Sequence, residues 1–128
     1  MAEPMDQLPS PILDVRVTST GGVPVVAVSG ELDMDTAPEV RAALATTLAD
    51  DPPALVLDLS EVRFFGSAGL SLLLDVRRRV AAFAVVANRR AVLRPIQLTA
   101  IGSLLSVFPA VEDALAWVSS GQGVRQAD

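Results

Sequence analysis

The stretch from Ala54 to Val80, ALVLDLSEVRFFGSAGLSLLLDVRRRV, restricts the fold more than any other part of the chain. Ala54-Leu55-Val56-Leu57-Asp58-Leu59 is a short, branched, apolar run that follows Asp51-Pro52-Pro53, the pattern of a buried strand. Leu70, Leu73 and Leu74, then Val80 and Ala81, recur at helical spacing, so a helix is expected from about Ser67 to near Val80. Ser60 to Gly69 lies between them, so the chain is expected to leave a strand, turn, and start a helix with a serine at its first position.

Ser67 has two readings. Serine is a preferred N-cap, and a cap alone accounts for its position. The same geometry also suits a modified hydroxyl. A helix start offers unpaired N–H groups and the positive end of the dipole, so a phosphate added there is tolerated by the protein's own fold. Gly66 and Gly69 keep bulk away from the hydroxyl.

The run LVLDLSEVRFFGSAGL resembles the signature of STAS domains, the anti-sigma factor antagonists of bacteria. The segment Val26 to Pro38, VAVSGELDMDTAP, is similar to the family's V-x-G-E-L-D-x-x-T-A block. Leu93 to Leu115, with Leu98-Thr99-Ala100-Ile101, is similar to its C-terminal stretch. Three blocks in order cover about residues 12–119.

The resemblance implies that Ser67 is the phosphorylatable serine. The family usually has Asp before it, where this chain has Gly66, and Ala68 replaces a frequent second Ser or Thr. It further implies a partner-switching cycle. The unphosphorylated protein binds an anti-sigma factor with serine kinase activity and so frees a sigma factor. Phosphorylation of Ser67 ends binding, and a serine phosphatase restores it. The residues it implies in partner binding are Asp33, Phe65, Gly66, Ser67, Ala68 and Gly69. Left open beside this is a STAS docking subunit of a lipid-transport ATPase complex or sensory assembly that acts without phosphorylation. A weak homodimer also stays open.

Composition narrows the alternatives. With no Cys and no His, disulfides, Cys nucleophiles, Ser-His-Asp chemistry and the commonest zinc ligands are excluded. No nucleophile–base pair, Gly-rich phosphate loop or metal-ligand spacing stands out, so the expectation is a binding protein without cofactor or metal, not an enzyme. A net charge of −5 argues against direct nucleic-acid binding. No apolar run approaches membrane-spanning length, and the acidic, Pro-broken start is unlike a signal peptide. A cytoplasmic location without membrane insertion is expected.

In chain order, residues 1–11 read as a flexible tail. Ile12 to Val17 reads as a half-exposed strand, Thr18 to Pro24 as a turn around Gly21-Gly22, and Val25 to Val28 as a buried strand paired antiparallel with the first. Gly30 marks a change of direction. Glu31, Asp33, Asp35 and Glu39 gather at the start of a helix from Thr36 to Ala49, with Val40, Ala43, Leu44, Thr47 and Leu48 on one face. Capping, metal binding and, from the resemblance, kinase contact through Asp33 are the three readings of that cluster. Of Phe64 and Phe65, one should pack inward and the other should be exposed as a binding contact.

Three arginines, Arg77 to Arg79, suit a helix C-terminus. Beyond them Phe83 to Ala87 reads as a strand. Asn88 to Thr99 reads as a helix in which Pro95 is tolerable if it sits in the first turn, Leu105 to Val107 as an edge strand, and Pro109 onward as a last helix carrying Val111, Ala114, Leu115 and Val118. Trp117 should cover the edge of the core, and residues 120–128 read as a flexible tail. The order of elements specifies an α/β class: one STAS-type domain over residues 12–119, with a mixed sheet of four or five strands and helices largely on one face.

Overall fold

The structure, a computed structural model, describes residues 12–120. The expected tail 1–11, and residues 121–128 of the expected C-terminal tail, lie outside the described residues.

Five strands form one sheet in the order β1-β2-β3-β4-β5. They are β1 (Leu13–Thr20), β2 (Val23–Leu32), β3 (Ala54–Phe65), β4 (Ala82–Val86) and β5 (Ser106–Phe108). The first pair is antiparallel and the others are parallel. The helices are α1 (Ala37–Leu48), α2 (Ser67–Arg79), α3 (Arg90–Gln97) and α4 (Val111–Ser119), with a 3₁₀ turn over Ala100–Leu104.

Period-two alternation divides the strands between two cores. Val26 and Val28 of β2, Leu55, Leu57 and Leu59 of β3, and Phe83 and Val85 of β4 point to one face. Helices α1, α2 and α3 cover that face with Val40 and Leu44, Leu72, Leu73 and Val76, and Val92 and Ile96. The intervening Val25, Val56, Ala82, Ala84 and Val86 point to the other face, where Ala114 and Val118 of α4 meet them. Three helices on one face and one on the other matches the expected architecture. Trp117 packs at the rim of this second core, 5.7 Å from the Phe108 ring.

Several boundaries differ from the sequence expectation. The first turn is only Gly21-Gly22, both at positive φ, and β1 and β2 pair up to Thr20 and Val23. That two-residue hairpin matches strand twist, so the ladder continues through residues whose polarity suggested a loop. Gly30 does not end β2. At φ +104°, beside a shift in register with β3, it stays within the strand, which runs on to Leu32. A Cβ there would lie 2.0 Å from Ile12 O.

The expected turn from Ser60 is likewise strand. β3 continues to Phe65 along the extended β2, and its polar residues are tolerated because, among the described residues, no strand pairs on its other side. In α2 the buried stripe is Gly69, Leu72, Leu73 and Val76, while Leu70 and Leu74 are half-buried. Pro95 lies in the last turn of α3, not the first. It is accommodated because the helix ends two residues later, where Leu98 N–H bonds to Arg94 O and the Thr99 hydroxyl donates to Pro95 O.

Candidate functional site

The start of α2 is built by β2 and β3 together. Glu31 pairs with Phe64 and Leu32 with Phe65, and the Gly66 N–H donates to Leu32 O at 3.0 Å. The turn is thus tied to the end of β2, next to the acidic segment. Gly66, in extended backbone, occupies the N-cap position, and Gly69 N–H donates to its carbonyl at 3.0 Å.

Ser67 is the first helical residue, not the cap. It is exposed, and no side-chain hydrogen bond caps this helix. No acid occupies the first turn, so the positive end of the dipole is not offset by a side-chain charge. The backbone N–H groups of Ser67 and Ala68 precede the first i→i−4 bond and are available to an oxygen acceptor.

Phe64 and Phe65 divide as alternation requires. Phe65 is 5% exposed and belongs to the main core, while Phe64 is 51% exposed. Gly69 is buried on the Phe65 ring: a Cβ there would lie 2.5 Å from Cε1. Two of the six expected contact residues therefore lie below the surface, Phe65 as the floor of the site and Gly69 as the gap that admits it. Ser67 is at the surface, with Gly66 and Ala68 half-buried beside it.

Asp33 has a local structural task. Its Oδ1 accepts the N–H groups of Asp35 at 2.9 Å and Thr36 at 3.0 Å. The Thr36 hydroxyl in turn accepts the Asp33 N–H at 2.9 Å and donates to Glu31 O at 2.8 Å. This reciprocal pair closes the turn ahead of α1, whose own N-cap, Thr36, makes no side-chain cap bond, so Asp33 orders the turn rather than capping the helix. It also brings out Met34, 79% exposed at the tip of the turn. Sequence reasoning passed over Met34. The available signal was an apolar residue between two aspartates, where burial is implausible.

Next to Phe64 runs an open groove of about 520 Å³, lined in part by Arg63, Arg90, Arg94, Pro95 and Leu98. None of these three arginines forms an ion pair among the described residues. Arg89 is engaged instead: Nε donates to Ser60 O at 2.8 Å, and a terminal nitrogen meets Glu61 Oε1 at 3.1 Å. The outer half of β3 thus carries an apolar, locally basic surface on a chain of net charge −5.

Among the described residues no cluster of His, Cys, Asp and Glu is arranged to hold a metal ion. No described helix is long and apolar enough to cross a membrane.

Comparison with known proteins gives four findings. The family profile described as "STAS domain" matches residues 14–114. The anti-sigma-F factor antagonist RsfB of Mycobacterium tuberculosis is 36% identical over 113 residues, covering 86% of this chain and 93% of its own. Among solved structures, an anti-sigma factor antagonist from Mycobacterium paratuberculosis superposes with a TM-score of 0.80 at 43% identity, covering 84% of this chain and 94% of its own. The unphosphorylated anti-sigma factor antagonist SpoIIAA shares the fold, with a TM-score of 0.69 at 19% identity over 84% of this chain and 97% of its own.

Proposed function

Since the chain belongs to the STAS domain family, we propose that it is an anti-sigma factor antagonist switched by phosphorylation of Ser67. One observation carries the reading: an exposed serine at the first position of α2, uncapped, on a helix start that bears no acid. The relative that is 36% identical and the solved structure that is 43% identical, both named as antagonists, support it.

In this reading the partner is an anti-sigma factor with serine kinase activity. It closes over Ser67, the backbone of Gly66 and Ala68, and the exposed ring of Phe64, with Asp33 and Met34 at the margin. Binding sequesters the anti-sigma factor and frees its sigma factor. Phosphate transfer to Oγ then adds about −1.5 to −2 charge at neutral pH. The free protein accommodates it, because the helix start offers N–H donors and a favourable dipole. The closed interface does not, since a hydrated dianion replaces a hydroxyl in close contact and its desolvation costs several kcal/mol. A serine phosphatase resets the switch.

The test compares the unmodified protein, Ser67→Ala and Ser67→Glu by calorimetry against the cognate anti-sigma kinase, with a thermal melt of each. Ser67→Ala should bind as the unmodified protein does and resist phosphorylation. Ser67→Glu should fold normally and lose about two orders of magnitude in affinity, roughly 2.7 kcal/mol. Equal affinity for all three sinks the switch. It would favour a docking subunit that works without phosphorylation, a reading to which Gly66, in place of the family's usual Asp, also points.

A further inference from the structure

The two edges of the sheet are treated differently. At one edge β5 is three residues long and is followed at once by Pro109, which supplies no N–H. At the other, β1 is eight residues long, pairs with β2 in unbroken register from Leu13 to Thr20, and contains no proline and no bulge. No strand lies beyond it among the described residues.

The direction of its free groups follows from the pairing on its inner side. Ile12 O accepts the Glu31 N–H at 2.7 Å, and Thr20 faces Val23 across a two-residue hairpin turn. In an antiparallel ladder, alternate residues turn both backbone groups to the same neighbour. The even-numbered residues of β1 therefore bond to β2. Leu13, Val15, Val17 and Ser19 direct their N–H and C=O groups outward.

We propose that β1 is a self-association edge, at which a second copy of this chain adds its own β1 antiparallel about a two-fold axis through Val15. That register is selected by charge and by backbone direction together. It makes Val15 face its own copy and Leu13 face Val17 of the second copy. All of these carry outward backbone groups and so form hydrogen-bonded pairs. It places Asp14 opposite Arg16 of the second copy, twice, in the non-hydrogen-bonded positions where side chains approach most closely.

Within one chain Asp14 and Arg16 already lie on the same side of the strand, 3.6 Å apart and exposed. The dimer thus assembles an alternating ring of two acids and two bases. An axis through Val17 instead would match the two charged residues with Thr18 and Thr20, and no opposite charges would meet. Val17, 49% exposed, and Ile12, 58% exposed, lose solvent contact in the Val15 register. The surface uses no residue of the Ser67 site and does not depend on the switch.

The test is sedimentation equilibrium of the full chain over a concentration series that reaches the millimolar range. The unmodified protein should pass from its 13.4 kDa monomer to twice that mass. Arg16→Asp, which brings four acids together, should raise the dimer dissociation constant about tenfold or more. The charge-swapped double variant Asp14→Arg/Arg16→Asp should restore it to near the unmodified value. Amide exchange gives a reading without substitution: the Val15 and Val17 N–H groups should become protected as concentration rises. A protein that stays monomeric throughout overturns the proposal. So does Arg16→Asp dimerising as well as the unmodified chain, a folded double variant that fails to restore the dimer, or fast exchange at Val15 in the concentrated sample.

Discussion

Along β3, Val56, Leu57 and Asp58 pair with β2 on one side and with β4 on the other. From Glu61 to Phe65 the same strand pairs, among the described residues, with β2 alone. The inner half is closed on both edges and covered on both faces, and Leu55, Val56 and Leu57 are fully buried. The outer half has one free edge among the described residues, and its alternation is shifted by an extra residue, Arg63, at a register shift against β2: Val62 and Phe65 lie in, Glu61, Arg63 and Phe64 out. Arg89 stands in for the missing neighbour by capping Ser60 O. A strand with two partners is committed to holding the sheet. A strand that has lost one partner can place an aromatic ring and a helix start at the surface and still be anchored from below.

The largest effects should come from the residues that both halves bury. Leu57→Ala should cost about 2–5 kcal/mol and Phe65→Ala about 3–5 kcal/mol in denaturant unfolding. Near-equal losses would show that the outer half is anchored as firmly as the inner one. A loss below about 1 kcal/mol at Phe65 would break the comparison, because the outer half would then not depend on the core.

A smaller effect is expected where β2 leaves the sheet beside this outer half. Asp33→Ala removes the acceptor for two backbone N–H groups and should lower stability by about 0.5–2 kcal/mol. An unchanged melting temperature, with weakened binding to the anti-sigma partner, would return Asp33 to the role of a pure contact residue.

The smallest effect on stability belongs to Phe64. Phe64→Ala should stay within about 0.5 kcal/mol of the unmodified protein, because the ring is half exposed. It should nonetheless cost about tenfold or more in partner affinity, as central aromatics at interfaces do. Unaltered affinity would move the docking surface away from the outer half of β3.

The sequence was most informative where burial is complete. The apolar run Ala54–Leu59, the strand before Ala87, and the buried residues Val40, Leu44 and Leu48 of α1 are set by hydrophobic periodicity, and the structure places them in strand and helix, although the first strand runs past Leu59 to Phe65. It was least informative where one partner is missing. Ser60, Glu61 and Arg63 look like a turn because a one-sided strand may be polar, and Gly30 looks like a stop because a positive-φ glycine within a strand and a chain reversal use the same residue type. In α2 both Leu70–Leu74 and Leu72–Val76 give an apolar stripe. Only the sheet beneath chooses the second.

By itself, then, the sequence determined the order and type of the elements, the α/β class and the position of Ser67 at a helix start. These depend on local periodicity and on three linear blocks that survive without coordinates. The tertiary structure alone decided that Gly66 rather than Ser67 is the cap, that Phe65 is the floor and Phe64 the surface, and that Asp33 is occupied by its own turn. It also decided that β1 presents its odd-numbered backbone groups to solvent. Each of these turns on which neighbour a residue meets across the sheet, and a linear pattern does not carry that information.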